Sequence, residues 1–71
     1  MKMTKTKREK MFVLIATAIK KLQKQAGISE DQASHTVIDY LRAFPRESVM
    51  DLDVLSMLLA AIVDLESEDV K

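Results

Sequence analysis

Seventy-one residues make one small domain, with 11 basic and 11 acidic side chains and no formal net charge. The absence of Cys and the single His35 exclude disulfides and make a structural zinc site untenable. One Gly, one Pro and three aromatics argue against a turn-rich sheet fold. The expected class is therefore all-α, a compact three-helix bundle completed by homodimerisation through its C-terminal helix.

The expected layout is a basic arm over residues 1–6, helices over about 7–26, 29–44 and 48–66, and an acidic tail over 67–71. The first helix opens at "TKRE", where Thr6 as N-cap and Glu9 at N3 would form a capping box. Its apolar stripe is Met11, Leu14, Ile15, Ala18, Ile19, Leu22 and Ala26, with helical spacing. Gly27 then suits the C′ position, where a left-handed residue ends a helix. "MKMTKTKREKMFVLIATAIKK" also has the basic start, short apolar run and Ala16-Thr17-Ala18 step of a secretory signal peptide. Ile19 and Leu22 carry the same stripe beyond that step, which favours a helix of the folded domain. No apolar run approaches the 18 or more residues of a membrane span.

The second helix opens at "SEDQ", with Ser29 as N-cap, Gln32 completing a capping box, and Glu30 and Asp31 at the positive end of the dipole. Ala33, Val37, Tyr40, Leu41 and Phe44 form its stripe, and Pro45 stops it. "LQKQAGISEDQASHTVIDYL" has a helix–turn–helix outline, but Glu30, Asp31, Gln32, His35 and Asp39 would face the DNA. Three carboxylates against phosphates are repulsive, so an ordinary helical hairpin is the expected reading.

The third helix begins near Ser48 or Asp51. From Val49 to Leu65, 13 of 17 residues are apolar, leaving a narrow polar strip of Asp53, Ser56 and Asp64. One seam is Leu52, Leu55, Leu59 and Ile62. A second is Val54, Leu58, Ala61 and Leu65, with Met57 at its edge. A helix apolar almost all round needs cover on more than one side. Leaving Val54, Met57, Leu58 and Leu65 in water would forgo roughly 6–12 kcal/mol. That rivals the whole stability of such a chain, about 4–11 kcal/mol. The expected dimer interface is therefore Val54, Met57, Leu58, Ala61 and Leu65. The alternative is a splayed bundle whose first two helices straddle the third.

Charge is unevenly spread. Residues 1–25 hold eight basic side chains and one acid, whereas residues 26–71 hold three basic side chains and ten acids. Lys2, Lys5, Lys7, Arg8 and Lys10, with Lys20, Lys21 and Lys24 farther along the first helix, are the candidate contacts for nucleic acid or for an acidic partner. The cations at the helix start and the acids of "DLESEDVK" each oppose their own helix dipole. Two such ends would complement each other across an antiparallel dimer.

"ESVMDLDVL" resembles the phosphopantetheine-attachment segment of acyl carrier proteins. The resemblance would make Ser48 the modified residue and put Asp51 and Asp53 on an acidic helix, although Glu47 stands where that family has Asp. The simpler reading is Ser48 as an N-cap. Catalysis has little support: no Ser-His-Asp spacing exists, Asp51 and Asp53 do not face each other on a helix, and His35 falls on a polar face. The expectation is a cytoplasmic, non-enzymatic, protein-binding regulator or adaptor acting as a homodimer; the alternative is a nucleic-acid-binding regulator. Its expected partners are a second copy of itself and another protein, without membrane, metal, cofactor or small-molecule substrate.

Overall fold

The computed structural model describes residues 5–68. Helix α1 spans Lys5–Ala26. Ala18, Leu22 and Ala26 are buried, and Met11, Leu14, Ile15 and Ile19 pack against them, so every member of the expected stripe faces the core. The helix is already formed at Lys5, so Thr6 and Glu9 lie inside it and are not its capping box. Lys and Thr are tolerated in a helix interior, and nothing at Thr6 compels the chain to leave it. The end behaves as expected. Gly27 has φ +67° and its N–H donates to the Gln23 carbonyl at 2.9 Å, the arrangement of a left-handed C′ residue.

Helix α2 spans Glu30–Arg42, and the Ser29 Oγ accepts the Gln32 N–H at 3.1 Å. Ala33 and Val37 are buried, with Tyr40 and Leu41 packed against the core. The helix ends two residues earlier than expected. Ala43 N–H donates to the Tyr40 carbonyl at 3.1 Å and Phe44 N–H to the Leu41 carbonyl at 3.3 Å. These tighter bonds close the last turn. The Pro45 ring disfavours helical geometry at Phe44, which leaves the stripe and is 39% exposed.

A single-turn helix, α3, spans Arg46–Val49 and stands beside the three helices expected. Helix α4 then spans Leu52–Glu68. Of its two candidate starts, Asp51 is the cap: its Oδ1 accepts the Asp53 N–H at 3.0 Å and the Val54 N–H at 3.2 Å. Ser48 lies within α3 instead, its own N–H donating to the Pro45 carbonyl at 3.0 Å. Pro at the N-cap of α3 starts a helical turn early, which displaces Ser48 from a capping position.

Helix α1 lies along both α4 and α2, while α2 touches α4 over a smaller area and α3 packs near the start of α4. Lys10 and Val13 of α1 line one groove with Leu52 and Asp53 of α4, and Gln25 meets Ser67 at the opposite end. The two helices therefore run parallel, and α2 returns antiparallel along α1. Leu22, Val37 and Leu55, one from each long helix, are wholly buried and mark the centre of the core. The molecule measures 42 × 19 × 17 Å.

Candidate interaction surface

Helix α4 supplies more buried residues than any other helix, yet it still leaves large apolar side chains exposed. Leu55, Leu59 and Ile62 of the first expected seam are buried, and Leu52 is half-buried. Val63 joins them at 5% exposure, because it faces α1 in the groove that also contains Thr17, Lys21 and Asp64. The sequence reading assigned Val63 to neither seam, although it follows Leu59 by four residues and so shares its face.

The second seam divides. Val54 and Leu58 are half-buried by their own chain, whereas Met57, Ala61 and Leu65 are exposed. Met57 is 72% exposed and Leu65 53%. The arrangement lies between the two packings weighed from sequence. Helix α1 covers one flank of α4, and the remainder of the chain only partly covers the other. Because Val54 and Leu58 already have partial cover, the uncovered apolar area is smaller than a seam left wholly in water. The five residues nevertheless form one continuous strip at helical spacing, in which its own chain half-covers Val54 and Leu58 and leaves Met57, Ala61 and Leu65 open.

A second exposed apolar feature joins Phe12 to Val13, of which the sequence marks only Val13 as lying opposite the stripe. Phe12 and Val13 are 68% and 64% exposed. Val13 joins Leu14, Thr6, Glu9 and Lys10 of α1 and Leu52, Asp53 and Ser56 of α4 in lining a shallow groove. The legible signal is a pair of large apolar residues, with Val13 opposite the stripe of its helix.

Among the candidate basic contacts, Lys5, Arg8, Lys10, Lys20, Lys21 and Lys24 are exposed and Lys7 is half-buried; Lys2 lies outside the described residues. They do not form one unbroken face. Ten residues separate Lys10 from Lys20, about 15 Å along the helix. Carboxylates also stand among them: Glu9 and Asp53 share a groove with Lys10, and Asp64 shares one with Lys21. The first turn of α1 contains no acid and the last turn of α4 no base. Both helix ends thus carry charges opposed to their dipoles. Of the acids assigned to the far end, Asp64 and Glu68 are exposed and Glu66 is half-buried, while Asp69 lies outside the described residues.

Ser48 is half-buried in the single turn of α3, unlike the exposed helix-start serine that the carrier-protein resemblance implies, and Asp51 is occupied as a cap. Glu30, Asp31, Gln32, His35 and Asp39 are all exposed on α2. Among the described residues, no group of three or more His, Cys, Asp or Glu side chains is placed to hold a metal ion. No helix among them is long and apolar enough to cross a membrane. Compared with protein-family models, curated proteins and solved structures, the chain matches none.

Proposed function

We propose that this chain is a non-enzymatic, cytoplasmic, protein-binding regulator or adaptor that acts as a homodimer through α4. The observation that carries the reading is the open strip of Val54, Met57, Leu58, Ala61 and Leu65, whose exposed members include Met57 at 72% and Leu65 at 53%. Burying apolar surface drives most protein association, and a symmetric dimer is the commonest way a small chain covers such a face. The groove at Val13 and Leu52 remains available to a second protein once α4 is paired.

Light scattering at low micromolar concentration tests the dimer, and about twice the 8.0 kDa chain mass is expected. Affinity capture from native extract, with and without nuclease, tests the partner. A protein retained after nuclease and at raised salt supports this reading.

The exposed cations Lys5, Arg8 and Lys10 with Lys20, Lys21 and Lys24 support a second reading, a nucleic-acid-binding regulator. Nucleic-acid affinity falling steeply with salt, as counterion release demands, would favour it. The acids interleaved at Glu9, Asp53 and Asp64 weigh against it, since each carboxylate repels phosphate.

A further inference from the structure

Two rows of side chains, each at four-residue steps, run along the outer side of α1. Arg8, Phe12, Ala16, Lys20 and Lys24 form the first, and all five are exposed. Lys5, Glu9, Val13, Thr17 and Lys21 form the second, also exposed throughout. The second row borders α4: Glu9 and Val13 line one groove with Asp53, and Thr17 and Lys21 line another with Asp64. No member of the first row lines either groove, so those two carboxylates of α4 stand at the edge of this face and not within it.

The face has a defined order. Lys5 and Arg8 stand at one end, and Lys20, Lys21 and Lys24 at the other. Phe12, Val13 and Ala16 lie between them, and Glu9 is the single carboxylate of the two rows. Arg8 and Lys20 are separated by about 18 Å along the helix axis. Neither feature serves the fold. The first turn of α1 contains no acid to offset its cations, which oppose the helix dipole. Phe12 and Val13 are exposed and contribute little to the core.

An apolar centre within a charged rim is the anatomy of a protein interface. The sign of this rim calls for carboxylates at both ends of the partner. Nucleic acid fits the order less well. Phosphates recur along the whole of a strand, whereas the middle of this face offers them Phe12, Val13 and Ala16 and no cation. A bilayer also fits less well. Glu9 falls between Phe12 and Val13 around the helix, so inserting those two side chains would draw its carboxylate out of water.

We infer that this face of α1 docks an acidic segment of a partner protein. The apolar side chains of the segment cover Phe12 and Val13. Its carboxylates, about 18 Å apart, meet Arg8 at one end and Lys20 at the other. This rests on the protein-binding reading above and not on the dimer, and it names the surface and the chemistry of the partner.

The probe is a phage-displayed library of random peptides long enough to span the face, selected on the full chain at low salt. Selected peptides are expected to carry large apolar residues between two acidic ends. Phe12→Ser should weaken their binding by about tenfold or more, as for an aromatic at the centre of an interface. Lys20→Gln combined with Lys24→Gln should weaken it at low salt and leave a smaller fall as salt rises. Both variants should keep the parent's circular-dichroism melt, because every changed residue is exposed. Val13→Ser serves if Phe12→Ser folds poorly. A selection with no acidic and apolar pattern, or binding indifferent to Phe12→Ser, would overturn the assignment. A short DNA duplex or phosphatidylserine vesicles held by this face in place of peptides would overturn it too. Loss of the dimer in Phe12→Ser would put a second copy on the face, with the same consequence. A protein captured after nuclease equally by the parent and by Phe12→Ser would overturn this surface and leave the protein-binding reading standing. Capture of no protein by either would remove that reading itself.

Discussion

The Ser67 hydroxyl of α4 lies 2.8 Å from the Gln25 amide oxygen of α1 and 2.6 Å from the Val63 carbonyl. A hydroxyl has one proton to donate. The shorter contact, back to the preceding turn, takes that proton. Turning the Gln25 amide to present its NH2 to the Ser67 oxygen satisfies the other, an orientation that heavy-atom positions do not distinguish. This pair marks where the end of α1 meets the end of α4, away from the basic start of α1.

That separation makes the charge distribution testable. Replacing the exposed Lys5, Arg8 and Lys10 with Gln should leave the fold intact, because none is buried. If these cations meet the acids of a second copy, dimer affinity by sedimentation should fall, and the unmodified dimer should weaken as salt rises. If they bind nucleic acid, the dimer should persist while low-salt binding is lost. A variant unchanged in both leaves the asymmetry without an interaction role.

Leu58→Asp should unfold or monomerise the protein, whereas Val13→Asp should fold normally. Leu58 is half-buried on α4 beside the core, and a buried unpaired carboxylate costs several kcal/mol. Val13 is 64% exposed, so its change should stay within about 0.5 kcal/mol of the parent. Equal melting curves by circular dichroism would contradict the assignment of helix faces.

Asp51→Ala should destabilise the fold by about 0.5–2 kcal/mol, the usual cost of losing an N-cap. Two N–H groups of α4 lose their acceptor in this variant. Ser48→Ala, whose hydroxyl caps neither α3 nor α4, should cost less. Urea unfolding of the pair ranks them, and the reverse order would return the cap to Ser48.

Gly27→Ala should cost about 1–2 kcal/mol, the penalty for a side chain in left-handed backbone. No atom lies within 4 Å of the added Cβ, so the cost is conformational and not a clash. Gly27→Asn should recover part of it, since Asn enters this region more readily. Thermal melts in the order Gly, Asn, Ala are expected.

The α1 stripe, the α2 stripe as far as Leu41, the Gly27 stop and the Ser29 cap were legible in the chain order because local rules act there. Helical spacing identifies a face, a left-handed turn selects glycine, and a serine oxygen reaches the N–H three residues on. The cap of α4 was legible only as a choice between Ser48 and Asp51, since both have suitable side chains and the effect of Pro45 on the intervening turn decides between them. The beginning of α1 was misplaced because a capping-box pattern is permissive: Thr6 and Glu9 fit it, yet the same residues are accepted inside a helix.

Sequence alone determined that α4 is too apolar for one covering neighbour, because 13 of the 17 residues from Val49 to Leu65 are apolar and leave only a narrow polar strip. Tertiary structure decided which of them the chain covers: Val63 against α1, Val54 and Leu58 in part, and Met57 and Leu65 hardly at all. It also decided that the charges separated along the sequence are not separated equally in space. Lys21 lies beside the acidic stretch of α4, while Lys10 lies with Asp53 at its start. Those outcomes follow from the parallel alignment of α1 with α4, which depends on contacts between distant segments and so is absent from any local pattern of residues.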